Sequence, residues 1–215
     1  VGIPDWTTWH SGYDEPGSGL SRRLALITER IEDVFRARAG TRTRVVSACA
    51  GEGRDVIGAA ARAPDPDAIE ACLLERTPEV AAAARASARR HALQRFTVLE
   101  ADAGEADVYA PFVPADLLLF CGVFGWISDE DVFRTVDALP MLASPGATVI
   151  WTRHRRAPDA TGAIRARFAT AGFREIAFEK LPNAVSSIGV HRLAGPALPF
   201  ARGMRLFTLP AEPSA

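Results

Sequence analysis

From residue 44 onward the chain alternates short, unbroken apolar runs with longer stretches where apolar residues recur every three or four positions. The unbroken runs cover 44–49, 68–75, 96–101, 116–121 and 147–152. Runs this short and continuous predict parallel strands covered on both faces. Helix patterns separate them. One follows the first run, over 54–62. The next opens with Thr77-Pro78-Glu79, which combines an N-cap hydroxyl, a proline suited to the first helical position and an acid in the first turn. It runs to Arg90, with arginines at its end to suit the helix dipole. Ser128-Asp129-Glu130-Asp131 opens a further helix in capping-box style, and Gly172 closes one over 161–171. The alternation predicts an α/β fold: a doubly wound, seven-stranded, mostly parallel sheet with helices on both faces.

Beyond Gly172 the pattern changes. Residues 173–181 predict a sixth strand and 204–209 a seventh. With no crossover helix between them, the seventh is expected to be antiparallel. The intervening 182–203 reads as a long, functional loop. Ahead of the core, Leu20, Leu24, Ile27, Ile31, Val34 and Phe35 share one face of a helix that Gly40 closes. Before that helix comes "DWTTWHSGYDEPGSG", a lid or a packed tail. The expected organisation is one domain over 1–215, with an N-terminal lid and helix in 1–40 and the sheet core in 44–209.

Composition narrows the class. A length of 215 residues with 48% hydrophobic and 24% charged residues fits one globular domain. No apolar run approaches the roughly 20 residues that span a bilayer, so no membrane association is expected. Nor does the start of the chain read as a signal peptide. A net charge of -1 gives no overall attraction to nucleic acid. Cys49, Cys72 and Cys121 lie in apolar runs without zinc-like spacing, which predicts buried, reduced thiols, a cytoplasmic setting and no metal.

The chemistry concentrates at predicted strand ends. "VVSACAGEGRDVIGAAAR" turns from the first strand into a helix through Gly51 and Gly53. In an open parallel sheet this loop lies where ligands bind, and the helix directs free N–H groups to the same place. Glu75 ends the second strand, where a carboxylate can accept from both hydroxyls of a ribose. Asp102 follows the third strand and can accept from an adenine amino group. A dinucleotide fingerprint calls for a third glycine, but Val56 stands there. A nucleoside cofactor without a pyrophosphate needs no such glycine.

These residues, with the "LLLFCGVFG" fourth strand, resemble the class I, Rossmann-like S-adenosylmethionine-dependent methyltransferases. The likeness runs over 44–209. Ser47 stands where the family carries an acid, and Cys49 where it carries its first glycine. The resemblance implies S-adenosyl-L-methionine as cofactor. It would be held by Cys49, Ala50, Gly51, Glu52 and Gly53, by Glu75 and Arg76 at the ribose, by Asp102 and Ala103 at adenine, and by Cys121 and Gly122 near the methionine amino group and methyl. It also implies an antiparallel seventh strand between the fifth and sixth. The sequence after the fourth strand is "CGVFGWIS", without the proline pair of amino-directed nucleic-acid methyltransferases, so a small-molecule acceptor and no nucleic acid are expected. Methyl transfer to an O, N or C nucleophile would depend largely on orientation. The alternatives are a non-catalytic S-adenosylmethionine-binding protein and an NAD(P)-dependent oxidoreductase, the latter opposed by Val56.

Several rim residues complete the expectation. His154, ending the fifth strand, reads as a general base or a substrate contact. Arg153, Arg155 and Arg156 form a run that binds an anion or is simply solvated. Phe124 and Trp126 would wall a substrate pocket or fill the core. His191 falls in the expected 182–203 loop, opening at the ligand face. Trp6, Trp9, His10 and Tyr13 are the lid residues.

Overall fold

The computed structural model describes residues 11–182 and 184–210. One sheet contains β1 (Thr43–Ala48), β2 (Ile69–Leu74), β3 (Phe96–Leu99), β4 (Ala115–Phe120), β5 (Ala143–His154), β6 (Phe173–Lys180) and β7 (Ser186–Leu193). Their order is β3-β2-β1-β4-β5-β7-β6. The first five pair in parallel, and β7 runs antiparallel to both β5 and β6. From β1 the chain steps outward to β2 and β3, then returns to place β4 on the other side of β1. The reversal point between β1 and β4 is where such sheets bind ligands.

The central strands are mainly apolar because their alternate side chains feed opposite, covered faces. Val45, Leu73, Leu117 and Ile150 pack beneath α1 (Gly19–Ala37), α2 (Arg54–Ala61) and α3 (Pro78–Arg90). Val46, Leu74, Leu118 and Trp151 pack beneath α4 (Asp129–Leu142), α5 (Thr161–Thr170) and the 3₁₀ turn Ala106–Phe112. Ser128 caps α4 by accepting from the Asp131 N–H at 3.1 Å, as its sequence predicts.

The seventh strand is not at 204–209 but at Ser186–Leu193, inside the segment expected to be a loop. That segment reads as weakly apolar because two of its strand positions are Gly189 and His191. Both are explained by Trp151, their neighbour on β5. A Cβ on Gly189 would overlap the Trp151 indole, and the Trp151 Nε1–H donates to His191 Nδ1 at 3.1 Å. His191 is therefore buried within the sheet, stacked on Phe168 at 4.2 Å between ring centroids. It is not a ligand-face loop residue.

Residues 204–210 form a strap instead of a strand. It lies against the 3₁₀ turn through Ala106 N–H to Met204 C=O (2.9 Å) and Leu206 N–H to Gly104 C=O (2.7 Å). Leu206 and Phe207 are buried in the core. Gly104 permits this approach, since a Cβ there would overlap the Phe207 carbonyl.

Candidate functional site

A cleft opens over the carboxyl ends of β1, β2 and β4. Its floor is the loop after β1. Cys49, Gly51 and Gly53 take left-handed backbone with φ of 49°, 58° and 67°, so the chain winds tightly, and the Gly53 N–H closes the turn on the Ala50 carbonyl at 3.0 Å. Gly53 has a second reason to be glycine: a Cβ there would overlap Leu73 and crowd Ile57 where α2 meets the sheet. Cys49 adopts the same backbone region with a side chain, a conformation few non-glycine residues take.

Glu75 locks this floor to β2. Its Oε2 accepts from the Gly51 N–H at 3.0 Å and its Oε1 from the Thr77 N–H at 2.9 Å. Only 8% of the residue is exposed. Each oxygen retains a second lone pair for another donor. Beside it, Arg76 donates to the Pro210 carbonyl at 3.2 Å and so ties the strap to the rim. On the β4 side, Gly122 turns with φ 91° and its N–H donates to Thr152 Oγ1 at 2.7 Å.

The sequence-predicted residues divide in two. Cys49, Ala50, Gly51, Glu52, Glu75, Arg76, Ala103, Cys121, Gly122, Tyr13 and Trp126 line the cleft. Gly53 lies beneath it. Asp102 faces away: its Oδ1 takes the Gly104 N–H at 2.8 Å and its Oδ2 meets Arg205 at 3.2 Å. Phe124 is fully buried between Phe120 and Trp151, so it fills the core and does not wall the cleft. His154 packs on Gly125 at the end of β5, accepts the Arg156 N–H at 3.4 Å, and is not among the residues lining the cleft. Arg153 is buried, bonded to the Phe124 carbonyl and to Asp129 at 2.8 Å, and so is structural and not anion-binding. Trp6, Trp9 and His10 lie outside the described residues.

Sequence reasoning missed four lining residues that matter: Arg23, Leu24, Asp55 and Leu209. Arg23 carried a signal. It falls on the apolar face of α1, three residues after Leu20 and four before Ile27, where a solvated arginine has no place. It is 8% exposed and donates to the Tyr13 hydroxyl at 2.7 Å. Arg54 stands 5.6 Å from the Tyr13 ring centroid and pairs with Asp14 at 2.6 Å. The strap of residues 13–14 is thus fixed over the cleft by arginines from α1 and α2.

Burial dominates the electrostatics. It pushes the thiols of Cys49 and Cys121 far up, so both stay protonated at neutral pH. Burial also raises the Tyr13 hydroxyl, against the lowering effect of Arg23, and raises the Asp55 carboxyl, against the N–H of Val56. His154 is lowered, first by burial and then by Arg153 and Arg156. Among the described residues no group of three His, Cys, Asp or Glu is placed to hold a metal ion. The cleft therefore offers binding and orientation, with neither a thiolate nucleophile nor a metal cluster among its described groups.

No family model matches the chain, and no curated protein does. Solved structures match over most of its length. Magnesium protoporphyrin IX methyltransferase from Synechocystis PCC 6803, with bound S-adenosylmethionine, superposes with a TM-score of 0.67 at 13% identity, covering 89% of this chain and 98% of that one. An O-methyltransferase family protein from Burkholderia thailandensis gives 0.63 at 15% identity over 80% of this chain. The match spans only 57% of that longer chain. An RNA methyltransferase from Salinibacter ruber, in complex with S-adenosyl-L-homocysteine, gives 0.50 at 15% identity, covering 77% and 90%. The chain has the fold of the class I S-adenosylmethionine-dependent methyltransferases. At these identities the likeness is one of fold.

Proposed function

We propose that this chain is an S-adenosylmethionine-dependent methyltransferase acting on a small molecule in a reducing, cytoplasmic setting. The observation that carries the reading is Glu75. Two backbone amides hold its carboxylate in one orientation at the β2 tip, with a lone pair left on each oxygen. That is an acceptor pair matched to the two hydroxyls of a ribose. The left-handed loop supports the same ligand, because Gly51 brings bare backbone to the cleft. Ala101 and Ala103 give small walls on the β3 side for a flat base. Val56 is fully buried at the α2–sheet contact, where a dinucleotide site carries its third glycine.

When bound, the cofactor supplies a methyl group already activated by its sulfonium leaving group. The chain's own residues have the remaining tasks. Glu75 and the loop orient the nucleoside, and Thr152 fixes the Gly122 turn at the β4 end. Tyr13, Leu24, Val123 and Trp126 give the acceptor an apolar surround that excludes water. The cleft's cover by residues 13–14 favours a compact acceptor over a nucleic-acid chain. No described helix is long and apolar enough to cross a membrane, and the described cysteines are all free thiols, which supports the reducing setting.

Calorimetric titration tests the reading. S-adenosylmethionine and S-adenosylhomocysteine should bind and NAD should not. Glu75→Gln should weaken both by about 1–3 kcal/mol, the usual effect of losing hydrogen bonds to a charged group. Tight NAD binding without a response to S-adenosylhomocysteine would falsify it. Methyl transfer to structured RNA in preference to small hydroxyl, amine or carbon acids would overturn the acceptor class alone.

A further inference from the structure

We propose that Arg153 is a positioning residue for the methyl acceptor: reaching from β5, it sets the turn after β4 so that Trp126 stands at the cleft. The inference rests on the methyltransferase reading, which makes the apolar end of the cleft the acceptor's place. Arg153 itself lies outside the cleft lining and acts through the turn.

The turn, residues 121–127, faces two ways. Cys121, Gly122, Val123 and Trp126 line the cleft, while Phe124 goes into the core. Such a segment presents its cleft side only as firmly as its backbone is fixed. Gly122 has open space where a Cβ would be, so its φ of 91° and not crowding asks for glycine there. Within the turn the Trp126 N–H donates to the Val123 carbonyl at 2.9 Å. Three successive residues at the end of β5 add fastenings from outside. Thr152 Oγ1 accepts the Gly122 N–H at 2.7 Å, Arg153 donates to the Phe124 carbonyl, and the His154 ring lies 3.5 Å from where a Cβ on Gly125 would be. Arg153 reaches furthest. Its other terminal nitrogen pairs at 2.8 Å with Asp129, the first residue of α4. One guanidinium thus ties the turn to the helix that follows it.

Packing alone does not ask for an arginine here. The side chain is buried, and its Nε has no hydrogen-bond partner among the described residues. Taking a guanidinium out of water is costly, and apolar side chains of similar volume often fill such a place at least as stably. An apolar side chain cannot hold a backbone carbonyl and a carboxylate at once in a fixed plane, which the guanidinium fork does. The carbonyl it holds lies two residues before Trp126. Arg153 therefore fixes the backbone from which Trp126 projects into the cleft, and the orientation of a bound acceptor follows from that wall.

Fluorine NMR reads the turn without needing an acceptor. In protein grown with 5-fluorotryptophan, the Trp126 signal is assigned by its loss in Trp126→Phe. Arg153→Met should shift and broaden that signal, and Asp129→Asn should shift it less in the same direction. Arg153→Lys, which keeps the charge, should bring it part of the way back. S-adenosylhomocysteine should bind all three variants within about threefold of wild type, because Thr152 still holds Gly122. With S-adenosylmethionine and the best of a set of small hydroxyl, amine and carbon-acid acceptors, Arg153→Met should lower kcat/KM for the acceptor about 10- to 100-fold and leave KM for the cofactor near its wild-type value. An unmoved Trp126 signal in Arg153→Met would overturn the assignment. If that variant does not fold, an unmoved signal in Asp129→Asn would do so. A shift accompanied by an equal loss of S-adenosylhomocysteine binding would mean a structural role alone and overturn it too. If wild type neither binds S-adenosylhomocysteine nor methylates a small acceptor, the methyltransferase reading falls and the acceptor role with it, whatever the fluorine signal shows.

Discussion

His154 ends β5 with its ring against Gly125, one residue from Trp126 and outside the cleft lining. Its pKa lies below the ordinary histidine range because burial and the neighbouring Arg153 and Arg156 disfavour the imidazolium. The ring is therefore neutral at neutral pH, as a base must be, but its placement suits a contact through the Trp126 turn better than direct proton transfer. We expect His154→Ala to raise KM and leave kcat within a few-fold. A loss of about 10²–10⁴ in kcat would make it the base, provided the acid limb of the pH–rate profile vanished with it. An unchanged kcat with an unchanged KM would remove it from the site. The residues legible in the sequence, Gly51 and Glu75 above all, share one property. They sit at predicted strand ends, and strand ends of a parallel sheet converge by topology alone. Asp55 and Arg23 lack that property. An acid in a first helical turn reads as ordinary capping, and α1 reaches the cleft only through a tertiary contact that no local pattern encodes.

The same distinction operates for whole elements. Strands β1 to β5 were legible as short, mainly apolar runs, as parallel strands within a covered sheet are, and β6 (Phe173–Lys180) as the run that follows the helix-closing Gly172. Strand β7 was not, because its fit to β5 depends on a cross-strand pair, Trp151 with Gly189 and His191, whose members look like loop residues singly. The apolar run at 204–209 misleads for the converse reason. Its hydrophobicity covers the core beside the 3₁₀ turn, and its sheet-like pairing is one bridge, Glu105 to Arg205. His191 gives the β7 assignment a solution test. Burial lowers its pKa from 6.5 to about 4, although Glu175 pulls the other way and Arg165 adds to the lowering. The folded state thus favours the neutral ring, while the unfolded chain takes up a proton below pH 6.5. Its contribution is fully present above that pH and is lost as pH falls through about 4. The whole effect is about 3 kcal/mol at most. Denaturant titrations at stepped pH should show this loss in wild type. A His191→Gln variant should show a shallower decline over the same window. Parallel declines would place His191 in a solvated setting and contradict the packing on Phe168.

At the scale of the molecule, the cleft and its cover share their fastenings. Arg23 lines the cleft and holds Tyr13, and Arg54 lines the cleft and holds Asp14. These arginines come from α1 and α2, which pack on the same face of the sheet. The segment before α1 thereby becomes a proposed lid, although it lies on the far side of the glycine loop in sequence. If this segment has to lift for the ligand to leave, bound ligand must oppose its opening. The factor by which amide exchange slows then equals one plus the ratio of ligand concentration to Kd, on the order of 100-fold at 100 times Kd. Hydrogen exchange with and without S-adenosylhomocysteine should therefore slow across residues 11–18 by nearly the same factor as in the β1 loop. Asp14→Ala, which frees one fastening without touching the sheet, should speed exchange of residues 11–18 in the absence of ligand. It should also raise the ligand's off-rate more than it lowers the on-rate. If saturating S-adenosylhomocysteine protects the β1 loop but leaves residues 11–18 exchanging at their original rate, the segment opens independently of the ligand. It would then be a packed tail, and the cleft would be entered without its movement.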